Sequence, residues 1–144
     1  MSPAKFVATL GGVGLLRPAP GTWGSAVVLP CVLLGPWPCL GLALLLGLAG
    51  WWAVARLPER AADPGWVVVD EGAGQLLALA ALPLGVGWPG VLAAFLLFRL
   101  FDITKPGPVG WADRQHGALG VMLDDIIAGL LAAGVLGVAR AAGL

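Results

Sequence analysis

The stretch CLGLALLLGLAGWWAVA, residues 39–55, carries no charged side chain and has the length of a helix that crosses a lipid bilayer. It belongs to a longer uncharged region, residues 18–55, and a second uncharged region covers residues 72–98. Hydrophobic residues make up 59% of the 144 residues and charged residues only 11%, whereas soluble domains carry about 25% charged residues. This composition predicts an all-α integral membrane protein, with residues 1–144 forming one helical-bundle domain.

Proline, glycine and charged residues divide the chain into about five predicted transmembrane helices, several of them short for a complete crossing. The predicted segments cover residues 22–34, with a bend at Pro30, and residues 39–55, 71–84, 91–101 and 118–142. Connections are predicted at residues 35–38, 56–64, 85–90 and 102–117.

The basic residues indicate how these segments are oriented, because cytoplasmic loops carry an excess of Lys and Arg. If Lys5 and Arg17 are cytoplasmic, alternation also places further basic residues inside: Arg56, Arg60, Arg99, Lys105 and Arg114. Only Arg140 then lies outside, and the two outer connections, 35–38 and 85–90, are uncharged. The pattern predicts a multi-pass membrane protein with its acidic residues on the cytoplasmic side.

Six of the eight acidic residues fall between positions 70 and 125: Asp70, Glu71, Asp102, Asp113, Asp124 and Asp125. A carboxylate in an apolar chain is costly and is kept where another group pairs with it or uses it. Because hard divalent cations prefer oxygen ligands, the shared partner that we predict is such a cation. Asp113, next to Arg114, is interpreted instead as half of a solvated loop pair.

Two interpretations remain open for Asp70 and Glu71, which begin the third predicted segment. Asp is a favoured N-cap residue, and acids in the first turn of a helix are stabilised by its dipole. Alternatively, both residues bind the cation. Helical spacing places Gly74 and Gln75 on the face of Glu71, which predicts room and a hydrogen-bonding group there.

The stretch GALGVMLDD, residues 117–125, carries the most specific pattern in the chain. Helical geometry places Gly117, Gly120 and Asp124 on one face, so we predict an open surface above Asp124. Gly129 suits the close packing of a second helix. His116, the only histidine, is either a solvated loop residue or a further member of the site.

The fourth segment ends in the stretch RLFDITKP, which begins at Arg99. Arg99 and Asp102 are three residues apart and can pair on a helix, which Pro106 is predicted to end near Thr104. One interpretation is an interfacial ion pair, with Lys105 reaching the lipid headgroups. The other assigns Asp102 to a metal and both cations to a phosphate.

A glycine-rich loop near the N-terminus, PGTWGS, offers groups that could bind an anion. Thr22 and Ser25 carry hydroxyl donors, while Gly21 and Gly24 let backbone N–H groups approach closely. The sequence contains no P-loop, nucleophile elbow or Ser/His/Asp arrangement, and no basic tract indicates nucleic-acid binding.

Together, these stretches resemble the phosphatidylglycerophosphatase A family over residues 12–134. The matching pieces are PGTWGS at 20–25, DExxG at 70–74, FRLFDxxKPxP at 98–108 and GVMLDDxxAG at 120–129. One departure is Gly117-Ala118, where the family often has two glycines. The resemblance implies a Mg²⁺-dependent phosphatase of the bacterial inner membrane that converts phosphatidylglycerol phosphate to phosphatidylglycerol and inorganic phosphate.

On this resemblance we hypothesise that five acids bind one or two Mg²⁺ ions and carry the reaction: Asp70, Glu71, Asp102, Asp124 and Asp125. The substrate phosphate would be bound by Arg99, Lys105, Thr22, Gly24 and Ser25, with His116 as an additional candidate. The nucleophile is either water or an aspartate. The expected partners are a phospholipid substrate and the surrounding bilayer, with no nucleic acid, and an oligomer is compatible with the sequence.

Proteins of other classes also carry acids in apolar chains. A cation-handling membrane protein or small transporter would place them across the membrane depth, whereas here they are predicted to gather on one side. A structural subunit of a larger complex would leave the acids unexplained.

Overall fold

The computed structural model describes residues 1–58 and 64–144, and most of these residues lie in helices. The α-helices in these ranges are α1 Pro3–Ala8, α2 Pro20–Val27, α3 Pro36–Ala55, α4 Val69–Leu79, α5 Trp88–Thr104, α6 Pro108–Asp113 and α7 Gly117–Ala141. Two 3₁₀ helices, Val13–Leu15 and Leu29–Leu34, precede and follow α2, the second at the predicted bend. The all-α fold class is confirmed for this part of the chain.

Prolines start most of these helices, and they explain why several predicted boundaries are wrong. α3 begins at Pro36, and Pro89 lies in the first turn of α5, so the predicted connections 35–38 and 85–90 are partly helical. A proline in the first turn lacks only an N–H that would be unpaired there in any case. For the same reason α6 can begin at Pro108, within a stretch that the sequence predicts to be a loop.

Helix α4 is the central element of the bundle, and ten of its eleven residues are buried. It packs against α2, α3, α5 and α7. At 1.5 Å per residue it spans about 16 Å, roughly half the hydrocarbon thickness of a bilayer. It ends at Leu79 rather than at residue 84, because in a longer helix the ring of Pro83 would clash with the carbonyl of residue 79.

Helices α4 and α7 cross at two glycines, Gly74 and Gly129. A Cβ built at Gly129 would overlap the backbone oxygen of Gly74, which confirms the close packing predicted at Gly129. The room predicted at Gly74 is not open, because the Phe98 ring and the backbone oxygen of Asp125 fill it. Close backbone approach at small residues is typical of helices packed in apolar surroundings.

Two of the described helices, Pro36–Ala55 and Gly117–Ala141, are long and apolar enough to cross a membrane. The other predicted spans are shorter, with 11 residues in α4 and 17 in α5, so the predicted five-span bundle is not confirmed. Many large apolar side chains are exposed, among them Trp37 at 79%. Exposed apolar surface of this extent marks contact with a membrane or another protein.

The basic residues separate toward two ends of the bundle. Arg56 and Lys105 directly follow α3 and α5, at the end where α4 begins. Arg140 lies at the opposite end, where its guanidinium donates a hydrogen bond to the backbone oxygen of Ala81 at 3.3 Å. Arg60, which the sequence places on the same side as Arg56, lies outside the described residues.

Candidate metal and phosphate site

Three helices bring five carboxylates together at one end of the bundle. α4 supplies Asp70 and Glu71 from its first turn, α5 supplies Asp102 from its last turn, and α7 supplies Asp124 and Asp125. Oxygen atoms of Asp70, Asp124 and Asp125 lie within 4.8 Å of one another, and so do oxygens of Glu71, Asp102 and Asp125. The cluster therefore forms two adjoining oxygen-lined positions that share Asp125.

The glycine crossing explains why the two acid pairs meet. Asp70 lies four residues before Gly74, and Asp125 lies four residues before Gly129, which is about one helical turn in each case. Because residues four apart share a helix face, the crossing brings both acids to the α4–α7 contact. Asp70, Asp124 and Asp125 are buried there, with 5%, 4% and 2% exposure.

Each acid pair contains one local hydrogen bond. The backbone N–H of Glu71 donates to Oδ1 of Asp70 at 3.0 Å, and that of Asp125 donates to Oδ1 of Asp124 at 2.8 Å. Val68 occupies the N-cap position of α4, so the N-cap interpretation of Asp70 is wrong. Asp70 and Glu71 nevertheless lie in the first turn, where the helix dipole stabilises negative charge.

Within residues 1–58 and 64–144, two cations accompany the acids. Nη1 of Arg99 donates to Oδ2 of Asp102, which confirms the predicted pair. Lys105 lies just beyond the end of α5, and its Nζ donates to Oδ2 of Asp124 at 2.9 Å. The interpretation in which Lys105 reaches away from the acids to lipid headgroups is therefore wrong. Burial alone would lower the pKa of Lys105, but the hydrogen bond and charge of Asp124, with the charges of Asp102 and Asp113, raise this pKa above its ordinary value.

Asp113 forms an ion pair with Lys105, whereas the sequence indicates a solvated pair with Arg114. It ends α6, and its Oδ1 lies 3.5 Å from Nζ of Lys105. Its side chain is 40% exposed, which places it at the rim of the cluster rather than inside it. The sequence signal for α6 is Pro108, since proline is favoured at the first position of a helix.

The cluster holds more negative charge than its two cations balance. If all five carboxylates are ionised, Arg99 and Lys105 leave three negative charges uncompensated. Oδ1 of Asp125, Oε2 of Glu71 and Nε of Arg99 are buried without a hydrogen-bond partner among the described residues. Buried polar atoms of this kind are costly unless a further ligand binds them. Because an all-oxygen donor set suits a hard cation, these residues could bind a metal ion.

The start of α2 meets the cluster at Gly21, so the stretch PGTWGS, which the sequence predicts to be a loop, forms the first six residues of this helix. A Cβ built at Gly21 would lie 2.8 Å from Oε1 of Glu71 and 3.4 Å from Nη1 of Arg99. Thr22, the next residue, is half-buried, and its role in binding phosphate stays a prediction.

The other two candidates on α2 lie against the protein interior. Gly24 packs against Val68, which explains its small size without any ligand. Ser25 is fully buried, and its Oγ has no hydrogen-bond partner within residues 1–58 and 64–144. The roles predicted for Gly24 and Ser25 in binding phosphate stay predictions.

The open surface predicted above Asp124 is filled at Gly120 by the turn between α6 and α7, whereas a Cβ built at Gly117 meets no described atom within 4 Å. A Cβ built at Gly120 would overlap the backbone oxygen of Gln115, so Gly120 lets this turn fold back onto α7. Gly117 has a φ of +75°, which glycine adopts without strain. His116 occupies the N-cap position of α7, and its side chain is exposed. It belongs to neither of the two carboxylate groups found among the described residues, so its role in the site stays a prediction.

Comparison with known proteins gives several matches over most of the chain. A protein-family model described as Phosphatidylglycerophosphatase A matches residues 6–140. The protein of that name from Escherichia coli (strain K12) is 37% identical over 142 residues, covering 94% of this chain and 82% of the relative. The Haemophilus influenzae protein of the same name is 37% identical over 140 residues, covering 92% and 85%. A Bacteroides thetaiotaomicron relative, provisionally named a phosphatidylinositol-3-phosphatase, is 39% identical over 140 residues, covering 90% and 88%. No solved structure matches the chain significantly.

Proposed function

This chain belongs to the phosphatidylglycerophosphatase A family, and on that basis we propose that it hydrolyses phosphatidylglycerol phosphate to phosphatidylglycerol and inorganic phosphate. The observation that carries the proposal is the convergence of five carboxylates and two cations from three helices at one end of the bundle. Phosphoryl transfer depends mainly on positioning and on electrostatic stabilisation, which a cluster of this composition can supply.

The substrates named for the relatives share a chemical feature. Phosphatidylglycerol phosphate and phosphatidylinositol 3-phosphate are lipids whose headgroup is attached through a phosphodiester and also carries a phosphomonoester. The proposed reaction removes the monoester and leaves the diester intact. The substrate class is therefore a phospholipid with a phosphorylated headgroup.

We propose Mg²⁺ as the cation, held at one or two positions by Asp70, Glu71, Asp102, Asp124 and Asp125. When bound, Mg²⁺ would neutralise phosphate oxygens and polarise the phosphoryl group. Asp125 contributes to both oxygen-lined positions, so its loss should impair the binding of either ion.

Arg99 and Lys105 bind the substrate phosphate in this proposal. Nη1 of Arg99 is held by Asp102, which orients the guanidinium, while Nε is unpaired within the described residues and remains free to donate to a phosphate oxygen. The ammonium of Lys105 has three donors and gives one to Asp124. The missing side chain at Gly21 lets the start of α2 approach these two groups closely, since a Cβ there would lie 2.8 Å from Oε1 of Glu71 and 3.4 Å from Nη1 of Arg99.

Two routes of hydrolysis fit these residues. In the first, water attacks phosphorus, the bond from phosphorus to the headgroup oxygen breaks, and a carboxylate of the cluster accepts a proton from water and returns it to the leaving phosphatidylglycerol oxygen. In the second, an aspartate oxygen attacks phosphorus and the same bond breaks, so phosphatidylglycerol leaves and an aspartyl phosphate forms, which water then hydrolyses to aspartate and inorganic phosphate. Acid quenching during turnover of labelled substrate distinguishes the routes, because only the second leaves the label on the protein.

We further propose that the protein lies in the bacterial plasma membrane with this site at the cytoplasmic face. The exposed apolar side chains and the two long apolar helices support embedding in the bilayer. Arg56 and Lys105 adjoin the acid-bearing end while Arg140 lies at the other, which supports a cytoplasmic orientation of the acids. The gathering of the five acids in one cluster disfavours a cation transporter, which would need carboxylates along the membrane depth.

The test is phosphate release by the purified 144-residue chain in detergent micelles, after chelation of metals and with or without added Mg²⁺. We expect release from phosphatidylglycerol phosphate only with Mg²⁺, and none from the Asp124→Asn variant, which keeps the side-chain shape but loses its charge. Phosphatidylinositol 3-phosphate, assayed in parallel, decides between the substrates named for the relatives. A folded protein that releases no phosphate from phosphatidylglycerol phosphate would overturn the proposal.

A further inference from the structure

A cavity of about 530 Å³ lies between the segment that precedes α2 and the segment that precedes α4. Its lining includes Gly14, Arg17, Ala19 and Pro20 on the first side and Gly65 and Trp66 on the second. Among the described residues of this lining, Arg17 carries the charge, and it is exposed. The proposed metal ions and the terminal phosphate both bind in the carboxylate cluster, so neither gives this cavity a function.

Both walls of the cavity continue directly into the carboxylate cluster. Four residues after Arg17, the chain reaches Gly21, which faces Glu71. Four residues after Trp66, it reaches Asp70. Because four residues extend over at most about 14 Å, the cavity adjoins the cluster on both sides.

The two walls are held together by direct contact. A Cβ built at Gly14 would overlap the backbone oxygen of Trp66, and Gly24 packs against Val68 two residues further on. Ala19, where the first wall turns into α2, has a φ of +55°, in the left-handed region that residues other than glycine rarely adopt. Such conformations persist where the surrounding structure fixes them, and they concentrate at binding sites.

We propose that this cavity binds the phosphodiester of the lipid substrate, with Arg17 as the residue that recognises it. The inference rests on the proposed function: the terminal phosphate occupies the carboxylate cluster, and the diester of the same molecule reaches the adjoining cavity. Only the headgroup alcohol separates the two phosphates, which suits two sites a few residues apart. A guanidinium is always charged and presents several N–H donors to phosphate oxygens. Arg17 thereby distinguishes lipids with a diester and a monoester from lipids with a monoester alone.

The test compares phosphatidylglycerol phosphate with phosphatidate, a lipid whose only phosphate is a monoester. Both are presented to the purified chain with Mg²⁺, in mixed micelles at one fixed fraction of anionic lipid. We expect Arg17→Gln to raise KM for phosphatidylglycerol phosphate roughly 10-fold with little change in kcat, the usual contribution of one charge-assisted hydrogen bond. The KM of phosphatidate, or its inhibition constant where turnover is too slow to follow, should stay the same.

A second variant tests the cavity without changing Arg17. A Cβ built at Gly65 meets no described atom within 4 Å, so Gly65→Leu should add an apolar side chain at the cavity wall. This variant should show the same selective rise in KM, and Arg17→Lys should restore part of the affinity. Arg56→Gln is the matched control, since Arg56 stacks over Trp52 at 4.6 Å and does not line the cavity.

Two results would overturn the inference. Equal losses for both lipids would show that Arg17 attracts anionic lipid surfaces in general, and unchanged kinetics for both would show that the cavity does not bind substrate. Failure of the unsubstituted protein to release phosphate from phosphatidylglycerol phosphate is a different result: it would remove the proposed function, and the inference with it.

Discussion

On helices α4 and α7 the glycine crossing and the acid cluster lie one turn apart, yet different interactions hold them. At the crossing, Gly74 and Gly129 bring the two backbones into contact, and neighbouring atoms fill the space around them. One turn earlier, Asp70 and Asp125 are buried in a cluster whose carboxylates outnumber its cations by three among the residues that the structure describes. Packing explains the crossing completely, whereas the acid cluster, when all five carboxylates are ionised, needs a ligand to balance its charge.

This difference shows how the protein can keep a costly site. Like charges in an apolar surrounding repel one another, so the acid cluster opposes folding unless a cation is bound. The neighbouring crossing and the buried helix α4 hold the acids in place against that repulsion. Substitutions at the two regions should therefore affect stability in opposite directions.

The largest effect is expected from Asp125→Asn, which changes the acid cluster and leaves the glycine crossing intact. Asp125 belongs to both oxygen-lined positions, so its loss removes a ligand from each. Because losing even outer-shell partners of a metal costs about 10–100-fold, we expect kcat to fall by more than about 100-fold. Without metal, the free energy of unfolding should rise by about 1 kcal/mol or more, since one buried charge disappears. Phosphate release and thermal unfolding in chelator measure the two quantities.

Asp113→Asn is the matched control for this prediction. Asp113 is 40% exposed and lies 3.5 Å from Nζ of Lys105 at the rim of the cluster. An exposed ion pair contributes about 0–1 kcal/mol, so kcat/KM should change by less than about fivefold. An Asp125→Asn protein that kept its activity, or that unfolded more easily than the unsubstituted protein in chelator, would contradict the distinction between the two regions.

The crossing is tested by Gly129→Ala. The added Cβ would overlap the backbone oxygen of Gly74, so α4 and α7 must move apart. Overpacking of a core costs about 1–3 kcal/mol, and we expect the free energy of unfolding to fall by this amount. Activity should fall as well, because the acid pairs one turn away separate with the helices. Denaturant unfolding in detergent measures the first effect and phosphate release the second.

Gly134→Ala adds the same methyl group to α7 at a position where a Cβ meets no described atom within 4 Å. Alanine is favoured over glycine within helices by up to about 1 kcal/mol, so this variant should be as stable as the original or slightly more stable. Equal losses in both variants would show that α7 is sensitive along its length and that the crossing has no special role.

The acid cluster is easier to predict from the sequence than the glycine crossing. A carboxylate in an apolar chain needs a partner, so Asp70, Asp102 and Asp125 can be grouped before any coordinates are known. A glycine shows only that a side chain is missing: the close packing predicted at Gly129 is confirmed, but the sequence does not tell packed from open surroundings at the other glycines. The sequence predicts open room at Gly74 and Gly120, but a phenyl ring and a backbone oxygen from other parts of the chain fill these positions.

Helix α4 shows the same limit for the fold. Its apolar sequence predicts a membrane-spanning segment, yet it has 11 residues and packs against α1, α2, α3, α5 and α7. A segment buried in protein and a segment facing lipid are both apolar, so hydrophobicity alone does not separate them. The distinction depends on which helices pack around α4, and that is set by contacts distant in the sequence.

Gln75 lies where the two regions meet, one residue after Gly74, and gives the smallest expected effect. Its side chain is fully buried, and neither amide atom has a hydrogen-bond partner in the described part of the chain. Burial of an unpaired polar group costs about 1–3 kcal/mol, so Gln75→Leu, which has a similar volume, should raise the free energy of unfolding by about 1 kcal/mol. Phosphate release should not change, because the amide bonds to none of the carboxylates. Denaturant unfolding measures the free energy of unfolding, and the phosphate assay measures the activity.

Gln75→Glu is the opposite change and serves as the comparison. It adds a further carboxylate one turn below Glu71, so it should lower the free energy of unfolding without metal, in contrast to Gln75→Leu. If Gln75→Leu folds but releases phosphate slowly, the amide acts on the substrate or on the ligands of the cluster. The catalytic site would then extend along α4 beyond Gly74, one turn past Glu71.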